Sequence, residues 1–180
     1  MTRLLSILLL VLCGSAFGQN VTNLVAGQRV WAGMKLTTTF ALGAPAYTNI
    51  VANPGFETGD LTGWSQGGIT SGGVATTYAH SGSYSMFIYS GTPGSIWQSL
   101  TTTNGQTYQV SFWLSNCGAD GEGLVALWGS TSLTNLTNSV LGSYYQFSFN
   151  ESATTNLTTL RFDFYEGSCW TIDDVSVVQQ

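Results

Sequence analysis

Charge is what this sequence has least of. Four Lys and Arg, nine Asp and Glu and one His are spread over 180 residues, and charged residues make up 7% of the chain. An ordinary soluble domain carries about a quarter. With so few cations there is no basic stripe to neutralise phosphates, which excludes nucleic acid as a partner. One His and three Cys also leave too few ligands for a zinc centre. A Ser-His-Asp arrangement would have to use His80, and no nucleophile-elbow pattern accompanies it. A glycosidase needs two carboxylates facing each other across a groove. Asp163 is the one acidic residue that falls on an outward strand face, so the chain reads as a non-enzyme.

Long hydrophobic runs are scarce too. The run Leu4 to Leu12 is too short to cross a bilayer as a helix. It follows Arg3 and precedes Ala16-Phe17-Gly18, small residues at the positions a signal peptidase reads. Residues 1–18 are therefore expected to be a signal peptide, cleaved before Gln19, and the remainder to be secreted without membrane insertion. Removing that segment leaves Cys117 and Cys169, a disulfide candidate in an exported chain. Cys117 ends the strand 108–116 and Cys169 begins the strand 170–178. If those strands run antiparallel side by side, the two sulfurs meet.

What the chain has instead is apolar residues, at 43%, and short strands with turn signals between them. Val30 to Leu42 has strand propensity, and residues 19–48 form either an N-terminal extension or an extra first strand. From residue 49 the strand spacing is that of an all-β sandwich. Gly91-Thr92-Pro93-Gly94 reads as a turn, and Asn104-Gly105 as a hairpin signal. In 108–116, Tyr108, Val110, Phe112 and Leu114 alternate with Gln109, Ser111, Trp113 and Ser115. In 159–165, Leu160, Phe162 and Phe164 alternate with Arg161, Asp163 and Tyr165. The fold class is all-β, two sheets, antiparallel.

Two acidic motifs stand far apart in sequence: Asn53-Pro54-Gly55-Phe56-Glu57 with Gly63-Trp64, and Ile172-Asp173-Asp174-Val175. Carboxylates brought together in a sheet need a cation or a donor network. With Ala79-His80-Ser81-Gly82-Ser83-Tyr84, Gln98-Ser99-Leu100 and Gly105 to Trp113 in order between them, residues 49–178 resemble the carbohydrate-binding-module families of the galactose-binding-like jelly rolls. That resemblance implies a jelly-roll β-sandwich over 49–180 and a structural calcium joining its first and last strands. Glu57, Asp173 or Asp174, and a carbonyl in the Ser81–Gly82 turn match the ligand positions. The alternative for the same residues is hydrogen bonding without metal.

The resemblance also implies glycan binding, by aromatic stacking on a sheet face or at the sandwich edge. Trp113 and Tyr165 are the first candidates, with Gln109, Arg161 and Asp163 as polar partners. Trp97, Tyr89 and Trp128 follow, whereas Trp64 and Trp170 read as framework. The loop Asp120-Gly121-Glu122-Gly123 reads as a solvated turn rather than a second cation site. Asn20, Asn135, Asn150 and Asn156 stand in glycosylation sequons. The expectation is a secreted carbohydrate-binding protein. Its rival is a structural or adhesive extracellular protein that self-associates through residues 30–42.

Overall fold

A computed structural model describes residues 47–90, 93–117, 123–165 and 168–180. The expected signal peptide, the strand at 30–42, Asn20 and the acids Asp120 and Glu122 lie outside the described residues. Ten strands follow in order: β1 (Ser65–Gly67), β2 (Gly72–Ala75), β3 (Ser85–Ser90), β4 (Gly94–Thr101), β5 (Thr107–Asn116), β6 (Gly123–Trp128), β7 (Thr131–Thr137), β8 (Tyr145–Ser152), β9 (Leu157–Phe164) and β10 (Ser168–Gln179). They form two five-stranded antiparallel sheets, β1-β4-β9-β6-β7 and β2-β3-β10-β5-β8. The all-β sandwich expected from the alternation is the observed architecture.

Alternation along each strand sorts side chains between the two faces of its sheet. Ile96, Leu100, Leu124, Leu160, Phe162 and Phe164 of the first sheet are buried against Met86, Ile88, Val110, Phe112, Leu114, Trp170 and Ile172 of the second. Phe112 and Phe162 meet edge-to-face across the interface, with ring centroids 4.9 Å apart. Each such ring contributes roughly 1.5–3 kcal/mol by leaving water. The packed core fixes the strands whose outward residues form the two outer faces.

Two local readings need correction. The Asn104-Gly105 turn forms, with Gly105 at a φ of +83°, but it is no hairpin: β4 belongs to the first sheet and β5 to the second. The amide of Gly105 donates instead to the carbonyl of Ala153 at the end of β8 (2.7 Å). Glu57 is likewise not on a strand. Residues 53–63 are a series of turns that hug β10, where the Val175 amide donates to the Pro54 carbonyl (2.9 Å). Phe56 from this segment is fully buried and stacks on Trp64 (5.4 Å).

The expected disulfide is present. Trp170 pairs with Asn116 in the β10–β5 ladder, which sets Cys117 beside Cys169 with their Cα atoms 5.6 Å apart.

Candidate functional site

Antiparallel register places the outward residues of β4 and β9 side by side. Trp97 faces Arg161, and Ser95 faces Asp163. On the other flank β9 meets β6, with Arg161 against Leu127 and Asp163 against Val125. The Arg161 guanidinium lies 5.5 Å from the centre of the Trp97 ring, a cation–π distance. Its Nε donates to Asp163 Oδ1 (2.6 Å). The rim of the indole lies over Gly67, where an added Cβ would stand 3.4 Å from Trp97 Cη2. Trp97 is thus braced between backbone and guanidinium rather than left free to swing.

Tyr165 continues the same face just past β9 and is 47% exposed. Its ring crosses Gly123, where a Cβ would come within 2.5 Å of Tyr165 Cδ2. Only glycine leaves room for the ring there. Among the described residues, the outer face of the first sheet therefore carries two positioned aromatic rings, one ion pair, and the exposed hydroxyls of Ser65 and Ser99.

The remaining candidates lie elsewhere. Trp113, Gln109 and Tyr89 are on the outer face of the second sheet, on the far side of the core from Tyr165 and Arg161. Gln109 and Tyr89 are exposed, but Trp113 is half-buried under His80, whose ring stacks on it at 3.9 Å. Tyr144 closes on His80 from the side (5.0 Å) and donates its hydroxyl to the Tyr78 carbonyl. Burial pushes the Tyr144 phenol up to about 12, so it stays a neutral donor. Trp128 points inward instead. It is 2% exposed and donates its indole N–H to the Ser152 carbonyl (3.3 Å). The candidates therefore make two separate faces and one core residue, not a single site.

The acidic residues do converge. A Cβ on Gly55 would stand 3.5 Å from Asp173 Oδ1 and 3.7 Å from Asp174 Oδ1, and as close to Glu57 Cγ as to Asp173. Asp173 is fully buried, and burial raises its carboxyl above the usual range. Its Oδ2 accepts the amides of His80 (2.7 Å) and Ser81 (3.2 Å), and its Oδ1 that of Asp174 (2.8 Å). Asp174 holds the Ser81 hydroxyl (2.7 Å) and His80 Nδ1 (2.6 Å). Glu57 accepts the amides of Ser83 and Tyr84.

These are the hard oxygen donors calcium takes, but each carboxylate is turned onto N–H or O–H groups. Among the described residues no three Asp, Glu, His or Cys side chains are disposed to hold one ion. As arranged, the corner is a hydrogen-bonded latch between the 53–63 turns, the 79–84 turn and β10. Sequence reasoning missed His80 as its hinge. The one signal was that the only histidine falls in the turn that faces the Asp pair.

Residues 48–122 match the family described as carbohydrate binding domain. No curated protein matches the chain. Among solved structures, TmCBM61, determined with β-1,4-galactotriose, is 18% identical at a TM-score of 0.62, covering 74% of this chain and 99% of that one. The CBM22-1 xylan-binding domain from Paenibacillus barcinonensis Xyn10C is 14% identical at a TM-score of 0.53, covering 69% and 90%. The K3 cleaved adhesin domain of Lys-gingipain from Porphyromonas gingivalis is 16% identical at 0.55, covering 73% and 98%. These likenesses are likenesses of fold, while the family match supports a carbohydrate-binding function. By its sheets and register the domain is a jelly-roll β-sandwich, similar in fold to carbohydrate-binding modules.

Proposed function

We propose that this is a secreted, non-catalytic protein that binds a poly- or oligosaccharide on the outer face of the first sheet. The observation that carries the reading is the Trp97–Arg161–Asp163 group beside Tyr165 on an open face. Aromatic rings held on a sheet face offer apolar surface for the C–H face of a pyranose. The paired guanidinium and carboxylate offer a donor and an acceptor for its hydroxyls at one place. The other face is the weaker platform, because His80 and Tyr144 occupy the ground around Trp113. The test is retention of the full chain on insoluble polysaccharides and glycan arrays. Trp97→Ala and Tyr165→Ala should each weaken binding about 30-fold, the size of a hot-spot loss of ~2 kcal/mol. Unchanged retention in both variants would end this assignment.

Calcium belongs to this proposal as a structural ion competing for Glu57, Asp173, Asp174 and the Ser81 carbonyl, and to bind it must displace the His80 and Ser81 donors from Asp174. Calcium should then raise the melting temperature and a chelator lower it, with the fold retained. A melting temperature indifferent to both removes the ion.

A structural or adhesive role is the second reading, favoured by the edge strands. β7 carries no charged residue along its seven positions and β8 only Glu151. Uncharged edges are templates for strand addition, and residues 30–42 would be the added strand. Light scattering of the mature protein with and without residues 19–48 decides it: monomers in both cases sink the reading.

A further inference from the structure

At one end of the sandwich, the β6–β7 turn and the segment joining β8 to β9 enclose a groove of about 350 Å³. Ser130 and Thr131 form one wall, Thr154 and Leu157 the other, and Trp128 and Thr158 the floor. The floor is fixed. Thr158 shares a hydrogen bond with Thr102 (2.9 Å), and the Gly129 amide donates to the Thr159 carbonyl (2.8 Å). The walls are not so engaged: the hydroxyls of Ser130, Thr131 and Thr154 make no hydrogen bond among the described residues. Leu157 is 62% exposed beside them. No lining residue carries a charge. Free hydroxyls around an apolar side chain suit a neutral polyhydroxylated ligand and reject an ionic one.

The groove is continuous with the face described above. Leu157 and Thr159 are the next outward residues of β9 after Arg161, and both border it. From Tyr165 through Asp163, Arg161 and Thr159 to Leu157, the outward track spans about 26 Å at the strand rise of ~3.3 Å per residue. Several sugar rings are needed to cover that length.

We propose that the groove is a distal subsite of the glycan face, which therefore takes an extended, uncharged chain lying along β9 rather than a single terminal sugar. The proposal rests on the glycan-binding reading of that face, and the two fail differently. Titration calorimetry of the full chain would use trimers and hexamers of β-1,4-linked galactose and of β-1,4-linked xylose. One series should bind, with the hexamer roughly tenfold tighter than its trimer. Thr154→Arg and Thr131→Arg, on opposite walls, should each remove that gain and leave trimer affinity unchanged, whereas Trp97→Ala should weaken both lengths. Equal affinity for trimer and hexamer, or a length gain that survives both arginines, overturns the subsite and leaves the face standing. Failure of both series to bind overturns the face and the subsite together.

Discussion

Among the described residues, four that are not glycine hold a positive φ: Asn53, Phe56, Asn138 and Asp174. Three of them belong to the acidic corner or the turns leading into it. A bulky residue such as Phe in this region is costly unless its surroundings over-determine it. Here they do, because the Phe56 ring is wholly buried against Trp64 while Asn53 bonds the Thr58 amide (3.2 Å) and the Asp60 carbonyl (3.0 Å). Gly82 meets a tighter demand. Its φ is +62°, and an added Cβ would lie 2.3 Å from Glu57 Oε1. That carboxylate cannot step aside without releasing the Ser83 and Tyr84 amides. Gly82→Ala should therefore cost about 2 kcal/mol of stability from backbone strain alone, read as a lower urea midpoint at unchanged m-value. A midpoint equal to that of the parent protein would mean that the latch carries no strain.

At the scale of elements, the disulfide closes a separation of 52 residues between Cys117 and Cys169. It ties β5 to β10 at the end of the second sheet where their ladder begins. By the chain-entropy relation a loop of that length is worth about 4 kcal/mol. Replacing both cysteines with serine should lower stability by an amount of that order, measured by denaturant unfolding without reductant. A loss well under 1 kcal/mol would show that the ladder alone sets the register. This bridge was legible in the sequence because it needs only the strand ends and their direction. The alternation of β5 and β9 was legible for a similar reason, since each strand is buried on one side only. The sheet partners were not. A turn signal such as Asn104-Gly105 reports the local backbone and says nothing about which sheet the next strand joins. β7, with Leu133 and Leu136 among five Thr, Ser and Asn residues, lacks the apolar alternation by which strands are found. The division of Trp113 and Tyr165 between opposite faces follows from those missing partners, and so does the inward turn of Trp128.

At the scale of the whole molecule, the scarcity of charge becomes a statement about what holds a ligand. The chain's formal net charge is −5, yet among the described residues the proposed face and its groove contain only one charged pair, and Arg161 and Asp163 largely cancel each other. A neutral glycan brings no counterions to release, and stacking and short hydrogen bonds are not screened over the Debye length of about 8 Å at physiological salt. Affinity for such a ligand should change less than about twofold between low salt and 1 M, where the Debye length is about 3 Å. An anionic polysaccharide held by Arg161 would behave differently. Screening would weaken it steeply, as it weakens every phosphate-dependent complex. Titrating the best-retained glycan across that salt range separates the two cases. A flat profile assigns the binding energy to Trp97, Tyr165 and the hydroxyl-lined groove. A steep fall would make Arg161 the anchor, with Asp163 as the group an acidic ligand must displace.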